Sequence, residues 1–253
     1  MTGGLELDVV SASRADDLAY EALEDVGRLS AAVPDVRLVG GQMVQLLLHA
    51  FPSTRTTIRR TADADAALQP AVAASGQVDR VLRDLAYEPE SGNRYRRGER
   101  AIDLLVPSGG RFEQQIHGGR AYDAIPGLML ALAGPAIALT VHIVYFDDRV
   151  SACDIQVPGV EAAVVLKALA TADRARDSDL VDLANLLEIV ADGEWPRFGG
   201  WRLQQPPLTG ARRDAARALH SLAKRLKPAG HPSVATQRLV ALIRGLVADP
   251  DQT

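Results

Sequence analysis

The sequence predicts an α+β fold: a small mixed β-sheet core with helices on one side, followed by a helical C-terminal domain. Three observations carry that expectation. Short apolar runs bounded by glycine and charged turns, the mark of strands, gather in residues 1–150. Apolar residues at helical spacing dominate residues 151–253. The composition, 47% hydrophobic and 24% charged over 253 residues, is that of a globular chain long enough for a catalytic core and a smaller helical domain.

Taken in order, Ser13 caps a segment in which Leu18, Leu23, Val26 and Leu29 recur at helical spacing until Pro34 stops it. Residues 36–39 read as a buried strand, Gly40-Gly41 as a tight turn, and 42–51 as a helix with Met43, Val44, Leu46, Leu47 and Phe51 on its apolar side. Asp63 and Asp65 fall in a short strand. Residues 78–87 form an amphipathic helix, with Val81, Leu82 and Leu85 inward, and 88–92 a loop. Residues 93–98 and 100–107 read as paired strands about a turn at Gly98-Glu99, and 108–119 as a glycine-rich connection containing His117. The most hydrophobic region, 125–146, approaches the length of a membrane span. Gly134-Pro135 splits it, and His142, Asp147 and Asp148 follow, so it reads as a turn or short helix and then a buried strand over 136–146.

Pro158 opens a helix through Val160, Val164, Leu166 and Leu169, and a second helix runs through Leu183, Leu186, Leu187 and Val190. Residues 193–201 are a turn-rich link whose tryptophans, Trp195 and Trp201, are expected to anchor it to the core, with base stacking as the alternative. Helices over 211–226 and 232–247 close the chain. Arg212, Arg213, Arg217, Lys224, Arg225 and Lys227 make the first of them basic, which reads as a solvated face or an RNA contact.

Several of these elements carry chemistry. A helix N-terminus exposes unpaired N–H groups, and glycines let a phosphate approach them, so Gly40, Gly41 and Gln42 are candidates to hold a triphosphate. Asp63 and Asp65, two apart in a strand, share one face at roughly 6.5 to 7 Å along it. Magnesium takes one or two carboxylates plus substrate phosphates, and such a pair suits it. Asp103 interrupts the apolar run 101–106, where a carboxylate is expensive unless paired or metal-bound; a solvent-facing strand position is the alternative. Arg94, Arg96, Arg97 and Arg100 are the densest basic cluster, read as a contact for substrate phosphates or as a solvated hairpin. Lys167 and Arg174, seven apart, project from one helical face, as do Asp179 and Asp182, three apart on the next helix.

Gly40-Gly41, a helix, then Arg59, Thr61, Asp63 and Asp65 in an R-x-T-x-D-x-D pattern resemble the DNA-polymerase-β-like nucleotidyltransferases. Within them the chain is most similar to the AbiEii/MenT group, toxin components of type IV toxin–antitoxin pairs. That group also carries a lysine, an arginine seven further on, then a basic residue with aspartate, and a second aspartate three later. Lys167, Arg174, Asp179, Asp182 and Leu183 meet this register, with Ser178 at the basic position and Arg176 as its substitute. The resemblance spans residues 36–190. It implies magnesium or manganese on Asp63, Asp65 and Asp103, with Asp103 alternatively the general base. It places the nucleoside triphosphate against Gly40, Gly41, Gln42, Arg59, Thr61, Lys167, Arg174 and Asp182, with Lys167 and Asp179 completing the catalytic set. The implied acceptor is the 3′ end of tRNA, the consequence translation arrest, and the neutraliser a separately encoded antitoxin. A small-molecule or protein hydroxyl as acceptor, and an inactive relative that only binds nucleotide or a partner, are the competing expectations.

The net charge of −4 argues against a surface coated in positive charge for nucleic acid. Residues 1–8 carry no basic segment followed by an apolar one, so no secretory signal is expected, and Cys153 has no cysteine partner, which suits a reducing cytoplasm.

Overall fold

The computed structural model describes residues 4–251 apart from 58, 60, 62, 175, 227–230 and 232. Lys227 of the basic segment and Pro232, read as the start of the last helix, lie outside the described residues. The elements are β1 (Leu5–Val10), α1 (Arg14–Ala32), β2 (Arg37–Val39), α2 (Gly40–Ala50), β3 (Ala64–Ala67), α3 (Pro70–Ala74), α4 (Gln77–Asp84), β4 (Glu88–Ser91), β5 (Arg94–Arg97), β6 (Arg100–Pro107), β7 (Glu113–His117) and β8 (Arg120–Ile125). They continue with α5 (Leu128–Ala133), β9 (Ala136–Val144), β10 (Val150–Pro158), α6 (Val160–Arg174), α7 (Asp177–Asp192), a 3-10 turn at Trp195–Phe198, α8 (Gly210–Arg225) and α9 (Thr236–Leu246). The fold is α+β, with mixed sheets followed by C-terminal helices.

The strands form two sheets. In one, β9 lies between β1, parallel to it, and β10, antiparallel. The other runs β2-β3-β6-β5-β4, with β8 also beside β6 and β7 beside β8. Its centre is β6, parallel to β3 and β8 and antiparallel to β5. Side chains alternate along β6: Ile102, Leu104 and Val106 are fully buried, while Asp103 and Leu105 face the other way and keep some exposure. The buried face packs on α1, whose Leu23, Val26 and Leu29 are also inaccessible. Ser13 caps α1, its Oγ accepting from the Asp16 N–H at 3.2 Å.

Five strands depart from the reading by pattern, one of them β8 over the unassigned residues 120–124. Residues 88–92 contain β4 rather than only a loop, and the 108–119 connection contains β7. Both are polar along their length, so no apolar alternation marks them; pairing with β5 and β8 makes them strands. The segments 5–10 and 150–158 are also strands. Since β10 continues to Pro158 and pairs with β9 throughout, the boundary at residue 150 cuts a sheet, and the helical part starts at Val160. The glycine turn is not separate from its helix either: α2 begins at Gly40, whose φ is +71°.

The C-terminal helices are tied back by buried polar groups. Glu161 on α6 accepts from the Leu203 N–H at 2.9 Å and from Arg212 Nε on α8 at 2.6 Å. Arg238 on α9 pairs with Glu188 on α7 at 2.9 Å, and the Trp201 indole N–H donates to the Leu246 carbonyl at 2.7 Å. Trp195 likewise donates to the Val190 carbonyl, so both tryptophans anchor the link. One apolar core runs through both sheets and the helices, from Leu7 to Val247. The outer face of β1-β9-β10, with Glu6, Asp8 and Asp154, faces solvent, and at its tip Val10, Phe146 and Val150 are 64%, 63% and 73% exposed. Among the described residues no helix is long and apolar enough to cross a membrane.

Candidate active site

The face of β3 and β6 turned away from α1 is one wall of a cleft of about 550 Å³, and α6 with the start of α7 is the other. Asp65 on β3 and Asp103 on β6 are register partners in the parallel ladder, so their side chains leave the sheet side by side. Asp63 lies just before β3 and is exposed at the rim. Arg94 is the antiparallel register partner of Asp103 and bridges the outer two carboxylates. Its Nη1 donates to Asp103 Oδ2 at 2.8 Å and its Nη2 to Asp63 Oδ1 at 3.1 Å, while Nε pairs with Glu90 Oε2 at 3.2 Å.

Asp65 packs against the first residue of α2. A Cβ on Gly40 would stand 1.8 Å from Asp65 Oδ2, so only glycine fits, and its positive φ demands the same. A Cβ on Gly41 would meet Arg59 Nη2 at 2.8 Å and Thr61 Cγ2 at 3.0 Å. The glycine pair therefore lets the N-terminal turn of α2 approach both Asp65 and the loop residues Arg59 and Thr61. No side chain caps α2, which leaves its first N–H groups to the cleft. The loop is held by α7: Asn185 Oδ1 accepts from the Thr57 N–H at 3.0 Å, and Asn185 Nδ2 donates to the Thr57 carbonyl at 2.7 Å.

Across the cleft the cations and carboxylates of α6 and α7 form a chain. Lys167 Nζ lies 3.1 Å from Asp179 Oδ1 and 2.8 Å from Asp182 Oδ2. Arg174 Nε donates to Asp179 Oδ2 at 2.7 Å, and Arg59 forks onto Asp182 at 3.2 and 2.9 Å. Three cations meet two carboxylates, so this wall carries a surplus of positive charge. The opposite wall has the reverse balance, three aspartates against Arg94. Burial, then Asp103, push the Asp65 carboxyl up to about 7, with Asp63 adding to the rise while Lys167 and Arg174 pull it down from across the cleft. Burial also raises Asp103, against the pull of Arg94. Burial alone would raise Asp179, but Arg174 and Lys167 outweigh it and hold the carboxyl below its ordinary range.

The structure thus brings Gly40, Gly41, Arg59, Thr61, Asp63, Asp65, Asp103, Lys167, Arg174 and Asp179 to one cleft. Arg176 and Ser178 line it too, so the arginine is at hand where the basic residue was expected at 178. Two candidates do not reach it. Gln42 is buried on the α1 side of α2 and donates to the Ala19 carbonyl at 2.9 Å. Asp182 lies behind Lys167 and holds both it and Arg59. Of the basic hairpin, only Arg94 faces the cleft: Arg96 pairs with Glu90 at 2.8 Å, and Arg97 and Arg100 reach Asp25 at 3.8 and 2.8 Å. Alternation along β5 accounts for this, Arg97 falling on the α1 side with Tyr95. Asn93, Phe112 and Asp123 also line the cleft and were not anticipated; the alternation of buried Tyr122 and Ala124 with Asp123 was the signal available. Arg60 and Ala62, within the R-x-T-x-D-x-D stretch, lie outside the described residues.

The donor chemistry of Asp63, Asp65 and Asp103 fits a hard divalent cation, and such a cation would offset both the burial and the neighbouring aspartate charges that raise the Asp65 carboxyl. As arranged, however, no group of three or more His, Cys, Asp or Glu among the described residues could hold a metal ion, and Arg94 spans two of the three aspartates. Comparison with protein-family models, curated proteins and solved structures gave no match.

Proposed function

We propose that the chain is a magnesium- or manganese-dependent nucleotidyltransferase, moving a nucleoside monophosphate from a nucleoside triphosphate to an acceptor hydroxyl with release of pyrophosphate. The observation that carries this reading is the facing pair of walls: Asp65 beside Asp103 on adjacent strands, opposite Lys167 and Arg174, with the uncapped start of α2 between. A polyphosphate with its cation needs that division of charge.

Asp63, Asp65 and Asp103 would hold the metal, which when bound supplies charge neutralisation to the phosphates. Gly40 and Gly41 present backbone N–H groups to the triphosphate, and Lys167, Arg174 and Arg176 offset its charge. Where Asp103 is not a metal ligand, it would instead accept the proton of the incoming hydroxyl. The hydroxyl oxygen bonds to the α-phosphorus, the bond to the β-phosphate oxygen breaks, and pyrophosphate leaves against the basic wall. Positioning and charge do the work, and no covalent nucleophile is required.

By the resemblance of its motifs, the acceptor is the 3′ end of tRNA, and the chain acts as a toxin that arrests translation and is countered by an antitoxin. A second acceptor class is favoured by one observation: Asp123 and Glu90 add carboxylates around the aspartate wall, which suits a small cationic acceptor such as an aminoglycoside. Incubation of the protein and its Asp65→Ala variant with total tRNA, magnesium and each α-labelled nucleoside triphosphate decides between them. Label in tRNA with the intact aspartate alone is the expected outcome. Label confined to added aminoglycoside would reassign the acceptor, and no transfer to either would sink both acceptor readings and move a protein hydroxyl or a binding-only role ahead.

A further inference from the structure

The two charged walls are built to different strengths. Lys167 is 6% exposed and its partners Asp179 and Asp182 are 3% exposed each, so parting them would strand buried charge. Arg94 is 28% exposed, Asp103 20% and Asp63 52%, and ion pairs that water reaches this well contribute little. The Lys167 pairs are fixed, whereas the bridge across the aspartate wall is exchangeable.

The geometry of Arg94 suits exchange in a second way. Its two terminal nitrogens take one oxygen each from Asp103 and Asp63, and its Nε is paired with Glu90 at 3.2 Å. Glu90 is itself held by Arg96 at 2.8 Å. A guanidinium that lets go of the two aspartates therefore keeps an anchor on the same hairpin. Where it lies now, it gives Asp63 and Asp103 one positive charge in place of the two a divalent cation would bring.

We infer that Arg94 is an internal counter-ion that holds Asp63 and Asp103 in the metal-free protein and is exchanged for the divalent cation, withdrawing onto Glu90 as the metal arrives. This rests on the reading of Asp63, Asp65 and Asp103 as metal ligands. It makes metal binding alone weak, because two charge-assisted hydrogen bonds must open first. It also couples metal entry to the release of a guanidinium beside the cleft, where the triphosphate of an arriving nucleotide offers it a new anion.

The test is manganese binding to the nucleotide-free protein, followed by loss of the free-ion electron paramagnetic resonance signal, in the wild type and in Arg94→Met, Arg94→Lys, Arg96→Met and Asp65→Asn. Arg94→Met is expected to bind manganese roughly fivefold tighter than the wild type, the order set by solvated pairs that no longer have to open. Arg94→Lys, which keeps the charge and loses the fork, falls between them. Arg96 acts on Asp63 and Asp103 only through space, so Arg96→Met changes affinity by about twofold or less. Equal tightening by Arg96→Met and Arg94→Met would mean that field alone matters and would overturn the exchange. Manganese bound by the wild type and no tighter by Arg94→Met would overturn it while leaving the metal site standing. Binding absent from every protein, or undiminished in Asp65→Asn, would remove the metal site and the inference together.

Discussion

Position 40 tolerates one residue, for two reasons that add. Any Cβ there collides with the Asp65 carboxylate, and φ of +71° is strained for an L side chain. Gly40→Ala is expected to lower the thermal midpoint and, on the proposed function, to abolish nucleotidyl transfer, since Asp65 must move to make room; an active, equally stable variant would show that the contact is dispensable. The buried and exposed ion pairs separate in the same assay. Lys167→Met leaves Asp179 and Asp182 short of a buried cation and should cost about 3–5 kcal/mol in urea denaturation. Arg94→Met should cost about 0–1 kcal/mol, because its pairs are solvated. At this scale the sequence was informative about identity and silent about partnership. Asp65 and Asp103 stand out as carboxylates in apolar runs, but no spacing in the chain reveals that Arg94 spans Asp63 and Asp103 or that Arg59 is committed to Asp182. Both contacts join residues brought together by strand register or by the docking of a loop on a helix.

Among the elements, α1, α2, α6 and α7 were legible because their apolar residues recur at helical spacing, although α2, α6 and α7 are buried on nearly every side. The strands β4 and β7 were not, because their stability comes from ladder hydrogen bonds to neighbours rather than from side chains that signal burial. The α6–α7 pair carries a pH dependence whose sign is fixed. Arg174 and Lys167 hold the Asp179 carboxyl below its unfolded value, so its contribution to stability is complete above the unfolded pKa and is lost as pH falls through the folded one. Equilibrium unfolding between about pH 5 and pH 2 should show a steeper loss for the wild type than for Asp179→Asn. Parallel slopes would deny Asp179 that role. The clamp of Asn185 on Thr57 predicts a local effect. Asn185→Ala should open the chain at Thr57 to protease and to amide exchange while costing on the order of 1 kcal/mol globally.

For the whole molecule, the continuity of the core decides how it unfolds. Apolar contacts run unbroken from the sheets into α6–α9, and Glu161, Glu188 and Trp201 stitch α8 and α9 to the helices and link before them. Loss of packing at the far end should therefore reach the cleft. Ile243→Ala, at a fully buried position on α9, is expected to cost about 2–5 kcal/mol and to shift a single transition seen identically by near-ultraviolet dichroism and by far-ultraviolet dichroism. Two separated transitions would instead mark the helical part as an independent unit. The same continuity explains why a boundary at residue 150 was attractive by pattern and yet cuts a sheet: the helical periodicity becomes dominant close to where the last strand begins, and only pairing with β9 shows that the strand belongs with what precedes it.

The outer face of β1-β9-β10 has a consequence for the protein in a test tube. Among the described residues β1 pairs only with β9, leaving one edge unmatched, and the apolar tip at Val10, Phe146 and Val150 lies beside it. Such an edge invites a second copy, and the acidic stripe of Glu6, Asp8 and Asp154 is what discourages one, since two copies meeting there bring like charges together. That protection is colloidal, and it fades as the screening length contracts to roughly 3 Å in molar salt. Concentrated salt should therefore make solutions of the protein scatter more light.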